Sequence, residues 1–178
     1  MHRLHFTLTV VAVALLFPTF ASPAQSPDQS TASAVAAPIP PAIAAAKTVF
    51  VSNAGADGTL FPSLFSGSPS RGYSEFYAEL ATSRRFHLVD SPASADLVVE
   101  LRLTALYIPY RPLGVANRQP AFRLIVYDRS THYILWTLTQ PVENALLQRN
   151  ADHNFDNAVH GIVQQFLQLA GPTPATTP

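Results

Sequence analysis

The sequence predicts an α/β domain of two layers, a mixed sheet of about five strands with two helices packed on one face. Three observations support this fold class. Apolar residues recur at helical spacing in residues 73–80 and 155–169, they alternate with polar residues in 97–107, and a short polar turn separates two strand-like runs after residue 120. The expected order of elements along the chain is β-α-β-β-β-β-α.

The first strand and the first helix are separated by a long loop. Residues 47–52 (KTVFVS) combine β-branched and aromatic side chains and predict a strand. Residues 53–71 are rich in glycine, serine and proline, which predicts the loop. An apolar stripe at helical spacing then predicts the helix, and it consists of Tyr73, Phe76, Tyr77 and Leu80.

Four further strands complete the predicted sheet. Residues 85–89 (RFHLV) predict a short strand, and the alternation in 97–107 is typical of a strand with one buried face. Residues 109–120 predict a proline-bearing loop. Residues 121–127 and 132–140 predict a hairpin joined by the turn residues DRST. Its inward-facing side chains are expected to be Phe122, Leu124, Val126, Ile134, Trp136 and Leu138.

The closing helix has the clearest periodicity. Asn150 or Asp152 can cap its start, and Gly171 followed by Pro172 can end it. Its apolar stripe consists of Phe155, Val159, Ile162, Phe166 and Leu169. We therefore expect a single folded domain over residues 47–170.

The segments on either side of this domain predict disorder. Residues 25–46 are rich in alanine, proline and serine and lack apolar periodicity, so we expect a flexible spacer. Residues 171–178 (GPTPATTP) have the same composition and predict a disordered tail.

Residues 1–24 predict a cleavable signal peptide. Arg3 precedes an uncharged apolar run of about a dozen residues, which is shorter than the roughly 20 that a membrane-spanning helix needs. Pro18 ends the run, and small residues allow cleavage after Ala21 or after Ala24. We therefore expect an exported protein, periplasmic or extracellular, without a stable membrane anchor.

Cysteine content and charge exclude several classes of function. The chain contains no cysteine, so disulfides, a lipid-modified cysteine and thiolate chemistry are excluded. The chain has 11 basic and 11 acidic residues. Arg3 is removed with the predicted signal peptide, so the mature chain keeps ten basic and eleven acidic residues and has a net charge of −1. A nearly neutral domain has no overall field that attracts nucleic acid, and we expect no nucleic-acid partner.

Three residues at the start of the closing helix form the most metal-like pattern. Asp152, Asp156 and His160 follow one another at intervals of one helical turn. Two carboxylates and an imidazole could hold zinc, or a carboxylate could orient the imidazole for proton transfer. Neither H-E-x-x-H nor H-x-x-E-H order is present, and a polar first turn favoured by the helix dipole also explains the pattern.

Two loop features lack the spacing of the catalytic motifs they resemble. Residues 53–58 (NAGADG) follow a strand but lack the Lys-Ser/Thr of a phosphate loop and the glycine spacing of a dinucleotide site. None of the serines of the same loop lies in a G-x-S-x-G elbow. The sequence therefore assigns no catalytic, cofactor-binding or metal-binding residue, and we expect no cofactor.

A second loop has the composition of a contact surface. Tyr107, Tyr110 and Arg111 lie beside two prolines in the sequence YIPYRP. Tyrosine and arginine are enriched at binding hot spots, and proline stiffens the loop that presents them. We therefore predict contact with a partner here, although tyrosine and proline also pack hairpin ends onto their own sheet.

Several phrases resemble known exported bacterial domains. ADLVVEL (residues 95–101) follows FHLV (residues 86–89), and LIVYD (residues 124–128) precedes Trp136. This order resembles the TolB amino-terminal and CsgG-like domains, and the resemblance covers most of residues 47–170. Two departures are the absent glycine in the hairpin turn and the long loop after the first strand. The resemblance implies a non-enzymatic envelope-assembly or interaction domain and assigns no site residues.

These observations favour a non-enzymatic exported domain that binds, or helps to assemble, an envelope protein or a glycan. Two alternatives stay open. A small exported hydrolase or metal-dependent enzyme would use Asp152, Asp156 and His160. A structural subunit would associate with further copies of itself through an exposed edge of its sheet.

Overall fold

The computed structural model describes residues 37–109 and 116–172. Three helices and five strands form the domain, together with short 3₁₀ turns after the first two strands. In chain order they are α1 (Pro41–Ala45), β1 (Thr48–Ala56), α2 (Arg71–Ser83), β2 (His87–Leu88), β3 (Leu97–Pro109), β4 (Ala116–Asp128), β5 (Ile134–Pro141) and α3 (Gln148–Ala170).

The strands form one mixed sheet in the order β2-β1-β3-β4-β5. β1 runs parallel to both β2 and β3, whereas β3, β4 and β5 are antiparallel neighbours. The parallel pairs need crossovers, and α2 provides the one between β1 and β2. The predicted fold class, a mixed five-stranded sheet with helices packed on it, is confirmed.

The core lies between one face of the sheet and helices α2 and α3. Alternate residues of β1, β3 and β4 are buried there, and Phe76, Leu80, Phe155 and Phe166 meet them from the helices. Trp136 and Leu138 of β5 pack against the same cluster. The helices cover one face only, so the intervening residues of each strand point to the opposite, open face.

Ile134 differs from its predicted inward orientation. A register irregularity between Val126 and Tyr127 pairs Val126 with Trp136 and Tyr127 with Ile134. The bulge moves Ile134 to the open face, where it is 56% exposed. His132 in the preceding turn has a φ of 61°, so it takes the left-handed conformation for which a glycine was expected.

The folded domain begins before residue 47, within the range predicted as spacer. Residues 41–45 form helix α1, and the side chains of Ile43 and Ala46 are 0% and 2% exposed. The prediction failed because Ile39 and Ile43 stand among prolines and alanines and form too short a pattern to indicate a helix, yet Ile43 fills a gap in the core.

Arg85 connects the two ends of the domain. It is 8% exposed, lies over the Phe86 ring and donates hydrogen bonds to four carbonyl oxygens at 2.9 to 3.0 Å. These carbonyls belong to Ala44 and Ala46 at the chain entry and to Ala170 and Gly171 at the exit. Arg85 was predicted to lie in a strand, but β2 is limited to His87–Leu88. We call this arrangement the Arg85 clasp.

The predicted loop over residues 109–120 is largely strand. β4 begins at Ala116, and its pairing with β3 runs from Ala116 with Pro109 to Asp128 with Leu97. β5 pairs with β4 only from Ala121 onward. Pro120 lies at the end of this pairing, where its carbonyl oxygen still accepts from the Val142 amide at 2.8 Å, and a residue without an N–H is tolerated at such a position.

Several sequence predictions lie outside the described residues. They are the signal peptide, most of the spacer and residues 173–178 of the predicted tail. Within the described ranges, no helix is both long enough and apolar enough to span a membrane.

Candidate functional site: the open face of the sheet

Four apolar side chains lie side by side across the open face. Phe50 pairs with Val98, Val98 with Tyr127, and Tyr127 with Ile134, so one side chain comes from each of β1, β3, β4 and β5. The first three are half-buried, and Ile134 is largely exposed. We call these residues the apolar row.

A groove lies beside the apolar row, with a cavity volume of about 550 Å³. Val98 and Tyr127 of the row form part of its lining. Pro92 and Ala93 line it from the turn before β3, and Arg129 and His132 from the β4–β5 turn. Such a concave, mainly apolar surface with a few polar groups at its margin is typical of binding sites.

A smaller cavity of about 390 Å³ continues around the same turn. Lys47 and Asp96 line its other side. The Asp96 carboxylate accepts hydrogen bonds from the backbone amides of Lys47 and Thr48 at 2.8 and 2.9 Å, and these amides lower the pKa of Asp96. The carboxylate therefore joins β1 to the start of β3 and fixes this margin of the groove.

The β4–β5 turn is held by Asp128. Its Oδ1 atom accepts from the Ser130 hydroxyl at 2.5 Å and from the Ser130 and Thr131 amides at 2.7 and 2.8 Å. The Ser130 hydroxyl, followed by the Thr131 amide, lowers the pKa of Asp128 to about 2. The turn is thus preorganised by local hydrogen bonds, which reduces the entropy lost when it contacts a ligand.

Further along the open face, charged side chains accompany the apolar ones. Glu100 pairs with Ile125, and Arg102 pairs with Arg123. Both arginines are exposed and alternate with the buried residues Leu101, Leu103, Phe122 and Leu124. The face therefore has an apolar end beside the groove and a cationic end.

The predicted stripe of Asp152, Asp156 and His160 is engaged by helix α2. Arg71 donates to Asp152 at 2.8 Å and also binds Asp156, while Glu75 binds the Nε of the same guanidinium at 2.7 Å. His160 contacts Glu79 through Nδ1. These pairs join α2 to α3 and account for all three polar side chains.

The structure therefore gives the stripe a packing role. In residues 37–109 and 116–172, no group of three or more histidine, cysteine, aspartate or glutamate side chains is arranged to hold a metal ion. Asp152 was also expected as a candidate helix cap, but α3 begins at Gln148 without a side-chain cap. Its carboxylate instead accepts from the Ser66 amide and hydroxyl at 2.8 and 2.7 Å.

We predict that Asp152 makes stability depend on acid pH. The Ser66 hydroxyl and amide, followed by Arg71, lower the pKa of Asp152 from 3.8 to about 2 in the folded protein. A lowered folded-state pKa stabilises the fold above the ordinary pKa, and this stabilisation is lost as pH falls toward 2. Asp152→Asn should therefore be less stable than wild type at pH 6, and the difference should shrink between pH 4 and pH 2. Urea unfolding across this range measures it, and a pH-independent difference would contradict the assignment.

The glycine-bearing loop after the first strand has no phosphate-binding geometry. β1 continues through Gly55 to Ala56, and Asp57 then caps a 3₁₀ turn by accepting from Thr59. Phe65 folds back into the core, and Ser66 contacts Asp152. These residues attach the loop to α3.

Of the predicted contact residues, Tyr110 and Arg111 lie outside the described part of the chain. The backbone of Tyr107 lies in β3, opposite Arg118 of β4. Here β3 and β4 extend beyond the rest of the sheet as a two-stranded ribbon. β1 pairs with β3 only as far as Leu103, and β5 pairs with β4 only from Ala121 onward. Contact of Tyr107, Tyr110 and Arg111 with a partner remains a prediction.

Sequence reasoning identified the alternation in β3 but not the open-face site. The alternation predicts an exposed side for the polar positions of the strand, and the structure has Glu100 and Arg102 on the open face. Their meeting with Ile125 and Arg123 depends on the β3–β4 register. The long predicted loop between these strands gave no basis for that register.

Comparison with known proteins gives structural similarities alone. No family model and no curated protein matches the chain. The fold is similar to PelC from Paraburkholderia phytofirmans, solved as a dodecamer, with 12% identity, a TM-score of 0.40, and coverage of 70% of this chain and 86% of that one. It is also similar to lipoprotein GNA1162 from Neisseria meningitidis, with 10% identity, a TM-score of 0.40 and coverage of 67% and 96%.

The LpoB C-terminal domain from Salmonella enterica is a third similar structure, with 14% identity, a TM-score of 0.37 and coverage of 56% of this chain and 84% of that one. Similarity at this level supports no conclusion about function. The resemblance to TolB and CsgG-like domains is not among these findings and stays a prediction.

Proposed function

We propose that this protein is an exported, non-enzymatic binding domain whose open sheet face receives a segment of another protein. The predicted signal peptide over residues 1–24 supports export to the periplasm or the cell exterior. The packing role of the Asp152, Asp156 and His160 side chains favours binding over the alternative hydrolase or metal-dependent enzyme.

One observation carries this proposal: the apolar row runs in register across four strands, and its two middle side chains, Val98 and Tyr127, line a groove. Single exposed apolar residues are common on protein surfaces, but a contiguous row next to a concave, preorganised margin is typical of interaction sites. An extended segment of a protein can lie along the strands and place alternate side chains in such a groove. Protein is therefore favoured over glycan, the other partner class suggested by the sequence.

Self-association through an edge of the sheet is the second candidate. β5 lies at the end of the strand order, and no strand in the described part of the chain pairs with its outer edge. An eight-residue edge strand can accept a strand of another molecule. Light scattering of the mature protein distinguishes the two candidates, because a monomer at high concentration contradicts self-association and leaves binding of another protein unaffected.

Site-specific crosslinking in the native host tests the proposal. A photoreactive amino acid is placed at Ile134, in the apolar row. As a control it is placed separately at Tyr77, which lies on α2 in the helical layer and is 38% exposed. We expect a protease-sensitive adduct from position 134 and none of the same mass from position 77. Tyr127→Ala should abolish the adduct, since Tyr127 lies between Val98 and Ile134.

Three outcomes would contradict the proposed function. They are the absence of any adduct from position 134, the same adduct from both positions, and an adduct that Tyr127→Ala leaves unchanged. A protease-resistant adduct would indicate that the partner is a glycan and not a protein. Circular dichroism of each variant confirms that the fold is retained.

A further inference from the structure

Two arginines face each other at the cationic end of the open face. Arg102 on β3 and Arg123 on β4 are directly paired in the antiparallel register. Side chains paired in this way have Cβ atoms about 4.5–5.5 Å apart, and like charges in these positions destabilise a sheet. Both side chains are exposed, so no burial of apolar surface offsets this repulsion.

Neither guanidinium is neutralised within the part of the chain that the structure describes. The ion pairs found there involve Arg71 and His160. Glu100 is the nearest acidic position on the same face, two residues from Arg102, but it forms no ion pair with either arginine. The pair therefore presents two guanidinium groups to solvent on the open face.

From this geometry we infer that the partner segment is acidic and that its carboxylates bind Arg102 and Arg123 while an apolar side chain enters the groove. This inference rests on the proposed function. Guanidinium groups bind carboxylates through paired hydrogen bonds, and an exposed pair can bind two carboxylates or clamp one.

The spacing of the two ends fits an extended peptide. Val98 and Arg102 are four residues apart on β3, and Tyr127 and Arg123 are four residues apart on β4. At a rise of roughly 3.3 Å per residue, the apolar row and the arginine pair are about 13 Å apart. An extended segment with an apolar residue at i and an acidic residue at i+4 matches both ends at once.

A second copy of this chain is a poor partner for the open face. In a twofold-symmetric dimer, each residue of one face meets the symmetry-related surface of the other. Each face offers one glutamate, Glu100, against its two arginines, so two such faces would hold an excess of positive charge in one interface. A partner with negative charge removes this repulsion, so charge complementarity favours a different, acidic protein.

Titration with a designed peptide tests the inference. The probe is an extended, alternating peptide with leucine at i and glutamate at i+4 and i+6, and its control has glutamine in place of both glutamates. We expect the glutamate peptide to bind the mature protein with an affinity that falls as salt is raised. In NMR spectra it should shift the side-chain Nε–H signals of Arg102 and Arg123 together with the ring signals of Tyr127.

A matched pair of variants isolates the two arginines. Arg102→Gln combined with Arg123→Gln should weaken binding at least about tenfold. Arg84→Gln combined with Arg149→Gln removes the same charge from exposed positions at the end of α2 and the start of α3. It should change binding by less than about twofold, since the effect depends on local contact and not on net charge. The first variant should fold, because it relieves a like-charge contact.

The results that overturn the inference differ from those that overturn the proposed function. Equal binding of the glutamine peptide, equal loss in both variants, or stronger binding to anionic lipid vesicles or to heparin would each refute an acidic protein partner. If the Arg102→Gln, Arg123→Gln variant retains the crosslinked adduct at position 134 and Tyr127→Ala loses it, the binding face is correct and its acidic preference is wrong.

Discussion

Replacement of Arg85 by alanine should lower the free energy of unfolding by about 4 kcal/mol. The guanidinium donates to four carbonyl oxygens, and its bonds to Ala46 and Ala170 are buried. Without the arginine these carbonyls lose their partners, and each buried unsatisfied acceptor costs about 1–3 kcal/mol. The contact of the guanidinium with the Phe86 ring is lost as well.

Urea unfolding measures this loss, with Arg84→Ala as the matched control. Arg84 is the neighbouring residue and is exposed, so its replacement should cost far less. Arg85→Lys should be intermediate, because a single ammonium cannot reach carbonyls on both sides of the clasp. Amide exchange near Ile43 should accelerate in Arg85→Ala. A loss no larger than that of Arg84→Ala would refute the clasp as a main support of the fold.

Phe155→Ala should destabilise the domain by a similar amount, about 3–5 kcal/mol. Phe155 is fully buried at the centre of an aromatic cluster, with ring centroids 5.0 Å from Phe65 and 5.1 Å from Phe122. The Arg71 guanidinium lies 4.5 Å from its centroid. Removal of the Phe155 ring leaves a cavity between rings that belong to a loop and a strand.

Thermal or urea unfolding tests this effect, and Tyr133→Ala is the control. Tyr133 is an aromatic residue that is 75% exposed, so its truncation should change stability by less than about 0.5 kcal/mol. We also expect Phe155→Ala to release the loop around Phe65, which would appear as faster proteolysis between residues 60 and 70. Similar losses for both variants would contradict the central position of Phe155.

The elements with strong periodicity were predictable from the sequence. The stripe of Phe155, Val159, Ile162 and Phe166 defined α3, and the alternation around Leu101 defined β3, because each pattern repeats over several turns or residue pairs. The element order and the mixed sheet followed from these patterns. In α2, Phe76 and Leu80 are buried as predicted, whereas Tyr77 lies at the margin and is 38% exposed.

The candidate site was not predictable because it depends on register and long-range contact. Val98 and Tyr127 are ordinary strand residues in the sequence, and only the β3–β4 pairing makes them neighbours. The same holds for Arg102 and Arg123. Conversely, the spacing of Asp152 and His160 suggested a metal or catalytic site, whereas the structure pairs them with Arg71 and Glu79 on another helix. Local spacing cannot show which side chains a distant element will neutralise.

The Arg85 clasp also determines where the domain can be joined to other sequences. One guanidinium reaches Ala44 and Ala46 on one side and Ala170 and Gly171 on the other, so the first and last residues of the fold are spatial neighbours. A short glycine bridge could therefore close the chain into a ring or support a circular permutant opened at the β4–β5 turn. A shortened form that begins at Lys47 would discard half of the carbonyls that hold this junction together.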